Sequence, residues 1–209
     1  MSLRNMNIAP RAFLGFALIG TLMLILGAGA LLQMGQIRSA AEDISTTSVP
    51  SIQNLDEFTQ LALRLRVLSY RLLINREPDV QQKTMELLDL RNQEIRTAET
   101  QYEKYISSPQ EQAVYDRYKQ LMGQYGQLQD RMRNYSRNDQ VDQLRELLNT
   151  ELLENSEAIN KELNNLMRIN GQQITEANQR ASDMYSAAIK LVVFLLLLAT
   201  ALTIACALL

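Results

Sequence analysis

The chain has 209 residues, with 21 basic and 23 acidic side chains, a formal charge of -2, no His, no Trp and a single Cys. This inventory excludes an internal disulfide framework, a His/Cys zinc site and any nucleophile activated by histidine. The balanced charge offers no basic surface for nucleic acid. No cofactor is expected, and carboxylates without a nucleophile, a base or a metal cluster beside them point away from an enzyme.

The first element is an apolar run. From Ala12 to Leu32 no residue is charged and Thr21 alone is polar, close to the roughly 20 residues of helix that cross a hydrocarbon core. In lipid only a helix satisfies its own backbone within one segment. Arg4 and Arg11 precede the run with no acid among them, whereas all the acidic residues lie between Gln33 and Lys190. The positive-inside rule then assigns residues 1–11 to the cytoplasm, 12–32 to a first membrane span, 33–190 to the periplasmic side of a bacterial inner membrane and 191–209 to a second span. Ala28-Gly29-Ala30 has the form of a signal-peptidase site. The run is nevertheless longer than the roughly 7–15 residues of a signal-peptide core, which favours a retained span.

Between the spans Gly and Pro are scarce, and apolar residues recur at intervals of three and four, the period of amphipathic helices. Helix 1 is expected to continue from the first span through Gln36 to Asn75, with Pro50 kinking or unwinding it. Its positions Phe58, Leu61, Leu65, Leu68, Leu72 and Asn75 form one seam for a bundle core. Leu63, Val67, Tyr70 and Ile74 form a second stripe on the opposite face, so a homodimer through helix 1 is expected, the alternative being a helix 1 buried on both faces within one bundle. Asn75 to Asp79, with Pro78, makes a turn. Helix 2 then runs to Ser107. Ser108-Pro109-Gln110-Glu111 is a capping box that opens helix 3, which ends near Tyr135. Asn138 or Asp139 caps helix 4, expected to run unbroken from Asp139 into the second span, Leu191–Leu209. Tyr102, Tyr105, Tyr115, Tyr118 and Tyr125 are expected at helix interfaces. The fold class is thus all-α: an antiparallel up-down-up-down four-helix bundle flanked by two transmembrane helices.

Candidate binding residues gather at the end of the bundle away from the membrane. Arg64, Arg66 and Arg71 flank the two stripes of helix 1, and guanidinium forks donate paired hydrogen bonds to carboxylates. Tyr70 and Asn75 lie beside them. At the corresponding level helix 4 offers Asn149, Thr150 and Asn155, and Tyr135 could supply a ring wall.

This layout resembles the sensory portion of bacterial methyl-accepting chemotaxis proteins with the four-helix-bundle domain of the aspartate and serine receptors. The resemblance covers nearly the whole chain. It implies a ligand bound near the distal end at a dimer interface, by arginines of the first helix and polar groups of the fourth. The amino-acid receptors carry Arg-x4-Arg-x3-Arg on that first helix; Arg66 and Arg71 match the first two places, and Asn75 stands at the third. The departure leaves organic acids, cyclic or aromatic acids and amino acids all open as ligands. The resemblance also implies signalling by displacement of helix 4 to a cytoplasmic kinase-coupling part. The chain ends inside its second apolar run without closing basic residues, so a fragment of a longer receptor is expected. The same outer bundle would also suit a histidine kinase or a diguanylate cyclase, and a membrane coiled-coil scaffold without ligand is the non-sensory alternative.

Overall fold

A computed structural model describes residues 8–208. Arg4 and Leu209 lie outside these residues, as do the side chains of Arg11 and Cys206. Six α-helices follow in order: α1 (Ile8–Asp43), α2 (Val49–Ile74), α3 (Pro78–Tyr102), α4 (Pro109–Arg137), α5 (Val141–Asn149) and α6 (Glu151–Leu208). The described residues contain no strand. They divide into two compact units, one of residues 45–174 and one of residues 8–44 with 175–208.

The first of these units is the four-helix bundle. Its core is built from one face of each helix: Leu55, Phe58, Leu61, Leu65 and Leu72 from α2, Leu88, Ile95 and Tyr102 from α3, Val114, Tyr118 and Met132 from α4, and Leu152, Ile159, Leu163 and Leu166 from α6. The seam of α2 passes through Ser69 rather than Leu68, which is only half-buried at its edge. Burying a serine there is tolerable because its hydroxyl donates to the Leu65 carbonyl at 2.8 Å. Phe58 stacks on Tyr118 with centroids 5.6 Å apart and meets Tyr102 edge-on at the same separation. Tyr115 and Tyr125 are also buried, and Tyr105 half-buried, so the tyrosines do pack between helices.

Four boundaries differ from the sequence expectation, the simplest being that α3 ends at Tyr102 and not at Ser107. Helix 1 is interrupted just before Pro50: a π-helical turn, Ile44–Ser48, separates α1 from α2, and Pro50 sits in the first turn of α2. Proline there has no amide to lose from the ladder, and the wider turn before it relieves the clash of its ring with the carbonyl four residues back. The last bundle helix starts at Val141 with Gln140 before it, and neither Asn138 nor Asp139 caps it. Asn138 instead closes α4, and Asp139 adopts a left-handed conformation (φ 54°) and pairs with Arg76 of the neighbouring turn. Helix 4 is also not continuous, because Thr150 (φ -120°, ψ -95°) breaks it into α5 and α6. The box at Ser108 forms with a shift: Ser108 Oγ accepts from the Glu111 amide at 3.2 Å, while Glu111 reaches back to the Ser107 amide at 3.0 Å.

The second unit pairs α1 with the later part of α6. Leu26, Gly29, Gln33 and Ile37 of α1 face Tyr185, Ala188 and Val192 of α6 across a cavity of about 180 Å³. Outside this seam large apolar side chains are exposed, among them Phe16, Leu24, Leu31, Phe194 and Leu197. A helix that is apolar on its outer faces as well as its inner one is built for lipid. Two helices are long and apolar enough to cross a membrane.

Candidate ligand groove on the open face of α2

The period of 3.6 residues that buries Phe58, Leu65 and Leu72 turns Leu63, Val67 and Ile74 outward. Val67 is 67% exposed and Ile74 74%. With Arg66, Tyr70, Arg71 and Asn75 they line an open groove of about 580 Å³ along α2. Its floor is apolar and its charge comes from Arg66 and Arg71. Arg64 is exposed on the same helix outside the groove.

Among the described residues no ion pair or hydrogen bond engages the guanidinium groups of Arg64, Arg66 or Arg71. Several other arginines of the bundle are tied, although Arg96 and Arg137 are not. Arg131 grips Glu151 through two bonds of 2.7 and 2.8 Å, Arg133 reaches Asp89 at 2.6 Å and Arg117 reaches Glu162 at 3.4 Å. The grip of Arg131 lowers the pKa of Glu151. Three guanidinium groups without partners on one helix contrast with this pattern and present open donors.

Tyr70 connects the groove to the break in helix 4. Its hydroxyl lies 3.3 Å from both the Leu148 carbonyl and Asn149 Oδ1, and its single proton can serve either acceptor. Thr150, next in the chain, donates its hydroxyl to the Glu146 carbonyl at 2.7 Å, while its own carbonyl accepts from the Glu154 amide and begins α6. The structure therefore brings together Arg66, Tyr70, Arg71 and Asn75, with Asn149 within reach through Tyr70.

Asn155 and Tyr135 lie elsewhere. Asn155 is buried between α4 and α6, donating to the Leu121 carbonyl and Gln124 Oε1 at 3.3 Å each, and it lines a separate groove with Arg131, Glu151 and Glu154. Tyr135 packs half-buried against the core.

A model of the family described as the four-helix-bundle sensory module for signal transduction matches residues 5–185. The chain belongs to that family. A comparison with curated proteins gave no match.

One part of the sensory module was not singled out from sequence. Arg66 also lines a small pocket facing inward, of about 10 Å³, bounded by Leu65, Tyr125, Ser156 and Asn160. Such a space holds about one water. The available signal was the pair Ser156 and Asn160, polar at i and i+4 within the apolar repeat Leu152, Ile159, Leu163.

Proposed function

We propose that this sensory module is the ligand-binding part of a two-pass bacterial chemoreceptor. Its bundle stands on the periplasmic side of the inner membrane and binds a small carboxylate in the groove of α2. The observation that carries this reading is the set of unpartnered arginines beside an open apolar groove. Arg66 and Arg71 offer planar, always-charged forks to a carboxylate, and Ile74, Val67 and Tyr70 receive its apolar body. The groove is too open to bury a ligand alone, so a second subunit closes it, and the exposed Leu63, Val67 and Ile74 are its contact. The activity is binding rather than catalysis.

Binding acts on the signal through a difference in affinity between two states of the bundle. Tyr70 reports occupancy of the groove to Leu148 and Asn149, at the break where α6 begins. A displacement of α6 then passes to whatever cytoplasmic machinery the receptor controls, the chemotaxis kinase system by resemblance.

The test is a thermal-shift series on the membrane-embedded chain with malate, benzoate and aspartate as probes. One class of acid should raise the unfolding midpoint, since a ligand at a hundred times its Kd stabilises by about 2.7 kcal/mol. Arg71→Ala should abolish the shift. No shift with any acid, or a shift indifferent to Arg71→Ala, contradicts the assignment.

A further inference from the structure

At the opposite end of the bundle from the groove, each of the four bundle helices places one fully buried polar group in a single cluster. Ser51 of α2, Tyr102 of α3 and Glu111 of α4 are 0% exposed, and Asn170 of α6 is 1% exposed. Tyr102 donates its hydroxyl to Glu111 Oε1 at 2.7 Å, Asn170 donates Nδ2 to the same oxygen at 2.9 Å, and Ser51 donates to Asn170 Oδ1 at 2.6 Å. Glu111 Oε2 accepts from the Ser107 amide at 3.0 Å, from the Ser107 hydroxyl at 3.3 Å and from Gln173 Nε2 at 3.5 Å. Among the described residues no cation pairs with Glu111.

A carboxylate removed from water without a counter-charge depends on its hydrogen bonds. Two of these donors, Asn170 and Gln173, are carried by α6. Apolar surfaces slide past one another with little directional penalty, whereas a hydrogen bond weakens steeply outside a narrow range of distance and angle. One residue of axial travel along α6 is about 1.5 Å. That step would withdraw the α6 donors from Glu111 and leave Ser51 without its acceptor.

We propose that Glu111 and Asn170, with Ser51 and Tyr102, are positioning residues that fix the axial register of α6 in the bundle and thereby define its resting state. A buried polar cluster of this kind specifies register rather than adding stability, because apolar residues of the same volume fill the space at no greater cost. Its importance for signalling rests on the receptor reading above. The register itself does not, and is measured without ligand.

The experiment is pulsed electron-paramagnetic-resonance distance measurement on the full chain in lipid nanodiscs. Labels go on Gln82→Cys and Arg168→Cys with Cys206→Ser, sites separated mainly along the bundle axis by roughly 30 Å. The labelled parent, diluted into an excess of unlabelled chain so that only distances within one subunit are read, should give one narrow distance. The fourfold variant Ser51→Ala, Tyr102→Phe, Glu111→Leu, Asn170→Leu should give a distribution shifted or split by at least about 1.5 Å, with an unfolding midpoint equal to or above the parent's. A distribution that superimposes on the parent's overturns the proposal, whatever happens to the midpoint. If the fourfold variant does not fold, Asn170→Ala, which removes only one α6 partner of Glu111, decides in the same way.

Discussion

At the scale of single residues, α2 serves two purposes with alternate faces. Phe58 is 1% exposed and touches two rings, so Phe58→Ala should cost about 3–5 kcal/mol of bundle stability. Ile74→Ser on the open face should change the stability of the single bundle, measured at a dilution at which no dimer forms, by less than about 0.5 kcal/mol. Urea unfolding followed by far-ultraviolet circular dichroism separates the two. Comparable losses would mean that the open face is packed within one bundle and is not a binding surface. Most of this division was readable beforehand, since Phe58, Leu61, Leu65 and Leu72 on one side and Leu63, Val67 and Ile74 on the other follow from helical spacing. The burial of Ser69 in place of Leu68 was not, because it depends on an internal hydrogen bond to Leu65 that no hydropathy pattern contains. The same holds for Asn155. Which of two grooves it faces depends on the rotation of α6 against α4, and its amide is committed to Leu121 and Gln124.

At the scale of elements, the boundaries written by Pro78, Pro109 and Ser108 were legible, whereas the cap expected at Asn138 or Asp139 and the boundaries set by packing were not. Pro78 and Pro109 both begin helices as their sequence context indicates, and Ser108 caps α4. Removing that cap by Ser108→Ala should destabilise the bundle by about 1 kcal/mol, with Ser108→Gly costing less, as thermal or urea midpoints will show. A neutral Ser108→Ala would assign the start of α4 to Glu111 and the packing around it alone. The break at Thr150 has no glycine or proline to announce it. It exists where Thr150 bonds back to Glu146 and where Tyr70 of α2 holds Leu148 and Asn149, the latter a contact between residues far apart in sequence. The π-helical turn before Pro50 was half visible: proline required a disturbance, but whether kink, unwinding or widened turn depended on the chain around it.

At the scale of the whole molecule, the segregation of charge and hydropathy carries the functional reading. Every acidic residue lies between the two apolar runs, which end in helices apolar on their outer faces. The polar middle forms a bundle belonging to the sensory modules of signal transduction. A sensor reads a ligand on one side of a membrane only if its bundle faces that side, so the topology is the claim on which groove, dimer and signal all depend. Its direct test is labelling of intact spheroplasts with a membrane-impermeant maleimide, using Thr97→Cys or Asn164→Cys at exposed bundle positions in a Cys206→Ser background. Both positions should label fully before lysis. Labelling only after the membrane is dissolved would place the bundle in the cytoplasm and contradict the receptor assignment.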